Sequence, residues 1–454
     1  METKFNEKDK QKEMILAENL WKVMYRLSWP AVIAMVLYGL NSVFDAIFVG
    51  IFVGETALAG VSLAYPLSQI TLGLGSLIGV GAGSALSIAL GAKDQETQKK
   101  ILGNVNYLSI IITIIYLILA LSLATPLVKI MGGVGDTLAI GKTYFQITAI
   151  GSLFWIHGLA GNMIVRAEGK MRSAAVIMGL GLVVNIIANY ILIVVMDMGV
   201  AGAAWGTNLG MLVYTIAGLV YFGKGKASFE AQPFKIYRDK KIIKEILSMG
   251  MPSLIMTVMS LVQAVVVFNA LSRYGTIYDL ALYGAIYRIF TLLLTPIFGL
   301  MRALQPVIGI NYGAKNYLRV ISSFKIYALA STLMMLPFWL IIMVIPEMAL
   351  GLMFTDRLFD AASLFYFRVY MALLPIIFMM MTFYPAINKG KPAAIIGITR
   401  QLIFYVPVML ILPKLFGIQW VYYGTFLIDV VITIWVFILI RKEFNILRRE
   451  NAHA

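Results

Sequence analysis

Asp45 stands inside a largely apolar stretch, SWPAVIAMVLYGLNSVFDAIFVG. A charge at the centre of a bilayer costs about 2.5 kcal/mol or more, so a carboxylate kept there faces a cavity or a partner. Two chemistries suit it: taking up a proton, or holding a cation. The plainer alternative is a side chain that reaches the nearer end of its helix. Three other polar residues lie at a compatible depth. At about 1.5 Å per residue, Asp45 is ~8 Å from the end of its helix, Asn189 ~9 Å from the end of the fifth, and Thr207 ~12 Å into the sixth. Asn185 is one turn from Asn189 on the same helix face. Asp45, Asn185, Asn189 and Thr207 together form an oxygen-rich set of the kind a hard cation such as Na⁺ favours. Taken singly, the amides and the hydroxyl read as hydrogen bonds between helices.

The second half of the chain differs. Asp429 is its one deep carboxylate, ~16 Å into the last helix at the same rise per residue. Arg288 and Arg400 lie at depths from which either could pair with it, as a structural ion pair or as part of a conformational switch. Arg302 and Arg368 are expected to reach helix ends. Tyr38, Asn41, Met256, Met259 and Gln263 fall on the first and seventh helices and could line a substrate pocket, where Met adapts to varied shapes. His157, alone on an apolar helix, reads as a packing residue.

The elements that must position these residues follow from composition. Hydrophobic residues make up 60% of the 454 and charged residues 13%, against roughly 45–50% and about 25% in soluble domains. Apolar runs fall near 27–50, 57–90, 101–125, 143–166, 173–195, 199–222, 245–272, 279–311, 319–345, 360–387, 393–415 and 418–440. About 20 apolar residues cross the ~30 Å hydrocarbon core as a helix, and lipid offers the backbone no other partner. The fold class is therefore an all-α polytopic membrane protein of twelve spans.

Charge gives the orientation. The net charge is +15, but the basic residues cluster at helix ends, which argues against a nucleic-acid partner. Of the Lys and Arg residues, 28 fall on one side of the spans and five on the other. Basic loops stay inside, so both termini are expected in the cytoplasm and the protein in the plasma (inner) membrane. Residues 1–26 lack a signal-peptide pattern, so the first span is expected to serve as the targeting signal.

The two halves repeat. Pro30 matches Pro252 and Gly91-Ala92-Lys93 matches Gly313-Ala314-Lys315, both 222 residues apart. Gly169-Lys170 matches Gly390-Lys391, and Gly199 with Gly206-Thr207 matches Gly417 with Gly424-Thr425. Each half holds six spans, an even number, so the repeat is parallel, with a pseudo-two-fold axis along the membrane normal. This gives a cytoplasmic segment 1–26, a first lobe 27–222, a basic linker 223–244, a second lobe 245–440 and a tail 441–454. The linker reads as a solvated loop. In transporters of this plan the binding site lies between the halves. The repeat position of Asp45 is Val267 and that of Asn41 is Gln263.

Enzyme chemistry finds no foothold. The chain has no cysteine, no His-Glu-x-x-His, no acidic pair or Ser/His/Asp set within the spans, and no Walker A motif. Several segments do resemble a known family. They are the Asp45 stretch, ALGAKDQE, RAEGKMRSAAVIMGLGLVVNIIANYILI, GVAGAAWGTNLG and QPVIGINYGAKN. The chain resembles the MATE (multidrug and toxic compound extrusion) transporters of the multidrug/oligosaccharidyl-lipid/polysaccharide exporter superfamily.

That resemblance implies a V-shaped, two-lobed, twelve-helix antiporter exporting organic cations against inward Na⁺ or H⁺. It implies no cofactor beyond the coupling ion, small organic cations and membrane lipid as partners, and a monomeric working unit. Relatives often carry Asp where this chain has Asn189, so the first-lobe site keeps one carboxylate here, which leans toward proton coupling through Asp45. A second-lobe acidic cation site, present in some relatives, is absent. The competing reading is a lipid-linked oligosaccharide flippase of the same superfamily. It requires a cationic cavity, for which Arg288, Arg400 and Arg302 are available and against which Asp45 argues.

Overall fold

A computed structural model describes residues 2–351, 359–371 and 376–452. The helices in chain order are α1 (Glu2–Ala17), α2 (Leu20–Phe52), α3 (Glu55–Ala92), α4 (Gln95–Ile130), α5 (Gly135–Ile150), α6 (Ser152–Ala167), α7 (Met171–Asn189) and α8 (Gly199–Gly223). The second repeat holds α9 (Lys240–Tyr274), α10 (Ile277–Gly313), α11 (Tyr317–Val344), α12 (Pro346–Gly351), α13 (Ala361–Met371), α14 (Ile376–Ala386), α15 (Gly390–Ile398), α16 (Val406–Phe416) and α17 (Trp420–Ala452). Among the described residues, 11 helices are long and apolar enough to cross a membrane, or 12 with α5 and α6 taken as one bent span.

The bend has a local cause. Asn208 of α8 donates to the carbonyl of Ile147 at 2.6 Å, and the Gly151 N–H is left 3.4 Å from that same oxygen. A side chain inserted into the helical ladder kinks it, here by 53°. Only glycine fits at 151, because a Cβ there would overlap the Asn208 amide.

The same principle explains the repeated Gly-Ala-Lys. Lys93 and Lys315 close α3 and α10 in the left-handed region, at φ 57° and 59°. Gly91 and Gly313 lie where these helices touch. A Cβ on Gly91 would overlap the carbonyl oxygen of Ile310, and one on Gly313 would overlap that of Ile88. Ile88 and Ile310 are themselves 222 residues apart, so the two contacts are mates across the pseudo-two-fold axis. Beside them α3 meets α9 through Gly81 against Ile246 and Gly250 against Leu77, again backbone to backbone. These contacts between the lobes lie toward the end of the bundle that carries both termini.

Two further segments cover that end. The N-terminal residues form a helix, and α1 bridges the lobes. Gln11 donates to the Gly169 carbonyl of the first lobe at 2.9 Å. Arg319 of the second lobe donates to the carbonyls of Ile15, at 3.0 Å, and Glu18. Ile15 is fully buried.

The basic linker is largely exposed, as the sequence suggests, but parts of its backbone are tied to the first lobe. Asn106 of α4 donates to the carbonyls of Pro233 and Lys235 at 2.8 Å. Its own amide oxygen meets His157 Nε2 at 2.8 Å, which gives His157 a bracing role. Glu168 accepts from the Ser228 N–H and pairs with Lys170, while Ala227 and Phe229 are buried. Unpaired backbone groups are costly to bury, and the asparagines of α4 supply partners that no local sequence signal announces.

Candidate functional site

Close packing of α7 on α8 sets the frame. A Cβ on Gly181, Gly206 or Gly210 would run into the opposite helix, and at Gly206 the obstacle is the Asn189 side chain. Asn185 and Asn189 therefore project from α7 beside Thr207, and all three are nearly fully buried. Asp45 of α2 completes the group. Its Oδ1 accepts from Asn189 Nδ2 at 2.6 Å and Asn185 Nδ2 at 3.2 Å. Its Oδ2 accepts from Thr207 Oγ1 at 3.2 Å.

The four residues grouped by depth in the sequence are thus in mutual contact. The amide oxygens of Asn185 and Asn189 are buried and have no partner among the described residues. An amide can present either its oxygen or its nitrogen. Turned about, the two amides would face Asp45 with oxygens, and the set would suit a hard cation. As it stands, the amide N–H groups serve the carboxylate.

Asp45 also lines a cavity of about 510 Å³ together with Tyr38, Tyr65, Gln69, Tyr144, Trp155 and Thr207. A second cavity of about 460 Å³ shares Tyr38 and Trp155 with the first and is otherwise walled mainly by Leu37, Leu72, Leu159, Met178, Leu182 and Tyr214. Both belong to the first lobe. Of the proposed pocket residues, Tyr38 lines both cavities, whereas Met256, Met259 and Gln263 on α9 line neither. The Asn41 side chain lies outside the described residues. Tyr65, Gln69, Tyr144 and Trp155 went unnoticed in the sequence, although a polar or aromatic residue within an apolar run was the available signal.

The second lobe resolves differently. Arg400 Nε and Nη2 both lie 2.8 Å from Asp429 Oδ1. The Arg288 side chain lies outside the described residues. Arg400 sits on a π-helical segment, Thr399–Tyr405; the matching helix of the first lobe carries one too, Tyr190–Val195, later in its course and directly after Asn189. Such segments often accompany functional sites. Arg302 does not reach a helix end. Its Nη1 lies 3.9 Å from Met163 Sδ of the other lobe.

The ion pair makes a stability prediction. Arg400→Gln leaves a buried carboxylate without its cation, a loss of about 3–5 kcal/mol, whereas replacing both partners by apolar residues is often neutral. In detergent, Arg400→Gln should melt well below wild type, and the double variant Arg400→Met/Asp429→Leu should recover most of the loss. A single variant as stable as wild type would remove the pair from the stability argument.

A two-lobed bundle of membrane-length helices with a cavity in one lobe, lined by Asp45, defines a polytopic membrane protein. The MatE family profile matches twice, over residues 30–191 and 251–411, once in each repeat. The chain belongs to the MatE family. The multidrug export protein MepA of Staphylococcus aureus (strain N315) is 27% identical over 414 residues, covering 90% of this chain and 91% of that protein. MepA of Staphylococcus haemolyticus (strain JCSC1435) is 25% identical over 448 residues, 98% of each chain. A crystal structure of MATE in a bent conformation superposes with TM-score 0.90 at 25% identity, over 97% of this chain and 99% of that one. An outward-facing multidrug resistance MATE family transporter superposes at 0.87, also at 25% identity, over 96% and 98%.

Proposed function

We propose that this protein is a multidrug efflux antiporter of the cell membrane, exporting lipophilic organic cations in exchange for inward H⁺ or Na⁺, with Asp45 as the coupling group. The observation that carries the reading is that one carboxylate belongs to two structures at once. It is the acceptor for Asn185, Asn189 and Thr207, and it forms part of the wall of a cavity with aromatic sides. A proton or Na⁺ that neutralises Asp45 weakens its charge-assisted bonds to the amides and removes the charge that holds an organic cation in the cavity. Entry of the coupling ion and departure of the substrate are then alternative fillings of one site. Only a ligand that binds two conformations differently can drive alternation between them, and the carboxylate joining α2 to α7 and α8 is placed to sense that difference.

The excess of basic residues at the end carrying the termini supports a cytoplasmic location for that end. The flippase alternative loses Arg400 to its pairing with Asp429. The test is transport of a fluorescent lipophilic cation in proteoliposomes under an imposed pH or Na⁺ gradient. Uptake driven by one gradient is expected and names the ion. No uptake under either would overturn the antiport reading.

A further inference from the structure

Below the Asp45 cluster, two arginines and a tyrosine come together, and two of their donors have no acceptor among the described residues. Arg166 of α6 is 4% exposed. Its Nε donates to Asn162 Oδ1 at 2.8 Å, and its Nη2 is buried with no partner among the described residues. Arg302 of α10, half-buried, enters from the other lobe and reaches Met163, one helical turn from Arg166. The Tyr214 hydroxyl is also buried and unpartnered among the described residues. Arg166, Arg302 and Tyr214 lie within electrostatic reach of one another, and neither arginine forms an ion pair among the described residues.

Two like charges, one buried and one half-buried, with no opposite charge paired to either among the described residues, are costly to hold together. Arginine's planar fork suits carboxylate and phosphate oxygens. Tyr214 also lines the apolar first-lobe cavity, with Leu37, Leu159, Met178 and Leu182. We infer that Arg166, Arg302 and Tyr214 form an anion subsite that takes the carboxylate or phosphate end of an amphipathic ligand whose apolar body lies in that cavity. The substrate range then extends from cations held at Asp45 to molecules carrying an anionic group at the opposite end of the same lobe. This rests on the proposed role of the first-lobe cavity as the ligand chamber. Because Arg302 comes from the second lobe, the subsite is complete only while the lobes are closed at the end carrying the termini, and an anionic ligand would favour that state.

Equilibrium binding without any gradient tests it separately from antiport. Radiolabelled 1-naphthoate and the neutral 1-naphthalenemethanol would be titrated against purified protein in detergent. Wild type is expected to bind naphthoate at least tenfold more tightly. Arg302→Gln and Tyr214→Phe should each lose most of that preference, and Arg302→Lys should restore part of it, while the neutral compound binds all variants alike. Competition by inorganic phosphate would show that a bare anion suffices, and its failure to compete would assign the site to amphiphiles. Equal binding of the two naphthalene compounds by wild type would overturn the inference. So would an Arg302→Gln variant, folded by its melting curve, that keeps the preference. Gradient-driven cation transport that persists in that variant would leave the antiport reading standing whatever happens to the anion subsite.

Discussion

Asp45→Asn should abolish gradient-driven transport of a lipophilic cation while leaving the protein folded. The substitution is nearly isosteric. The new amide oxygen can still accept from Asn189, and its nitrogen can donate to the Thr207 hydroxyl, so most of the four-residue hydrogen-bond pattern survives. What disappears is the charge. Two unit charges 4 Å apart interact by about 4 kcal/mol at an effective dielectric constant of about 20. At about 1.4 kcal/mol per tenfold, that is a loss of two to three orders of magnitude in cation affinity at this point. Proton uptake is lost outright, since an amide does not titrate here. The measurement is initial uptake rate in proteoliposomes under the gradient that drives wild type, alongside a melting curve. Transport at background with a wild-type melting temperature is the expected result. Undiminished uptake would move the coupling group elsewhere, with Asp429 the next deep carboxylate to test.

The Asp45 group was legible in the sequence because helix geometry in a bilayer leaves little freedom. The rise per residue fixes depth, the i, i+4 spacing puts Asn185 and Asn189 on one face, and a carboxylate in lipid needs partners. Three residues at similar depth on neighbouring helices then have few ways to avoid meeting. The same reasoning offered Arg400, alongside Arg288, as a partner for Asp429, and Arg400 is paired with it. Where that reasoning failed, the deciding contact was tertiary. The break at Gly151 depends on Asn208 reaching across from α8 to the Ile147 carbonyl, and no periodicity in the α5–α6 stretch records it. The linker is basic, polar and largely exposed, but its composition does not record that Asn106 and Glu168 supply its backbone with partners from more than 50 residues away. Arg302 was expected to reach toward water, the usual behaviour of a long cationic side chain near a helix end. Instead it is received by the other lobe. The sequence offers pocket residues on both α2 and α9 because the repeat is symmetric. The cavities that contain Tyr38 belong to one lobe, and the replacement of Asp45 by Val267 at the equivalent position had already marked that asymmetry.

The glycine seam carries the other large effect. Gly91→Ala combined with Gly313→Ala should drive the lobes apart at the end carrying the termini and cut transport at least about tenfold. The added methyl groups would not meet flexible side chains. They would strike the backbone carbonyls of Ile310 and Ile88, which can move only with their helices. Overpacking a tight interface costs about 1–3 kcal/mol per site. Because the two positions are symmetry mates, they load the same contact from both sides, and the closed arrangement becomes less favourable by about 2–6 kcal/mol. A shift of that size converts a dominant state into a minor one, and alternation needs both. The absence of native cysteine makes the measurement direct: spin labels at Glu96→Cys and Lys325→Cys, one on each lobe, report the separation of this end. The variant should show a longer and broader distance distribution than the unsubstituted background. Gly218→Ala, where a Cβ meets nothing within 4 Å, should change neither distance nor transport. If the seam variant matched that control, the contact between α3 and α10 would be incidental packing. If instead the distance grew while transport was kept, closure at this end would not be a required step of the cycle. The expected combination, a parted seam with lost transport, would tie the repeated Gly-Ala-Lys to function through sterics: small residues stand at the axis because two backbones must touch there in one of the two states.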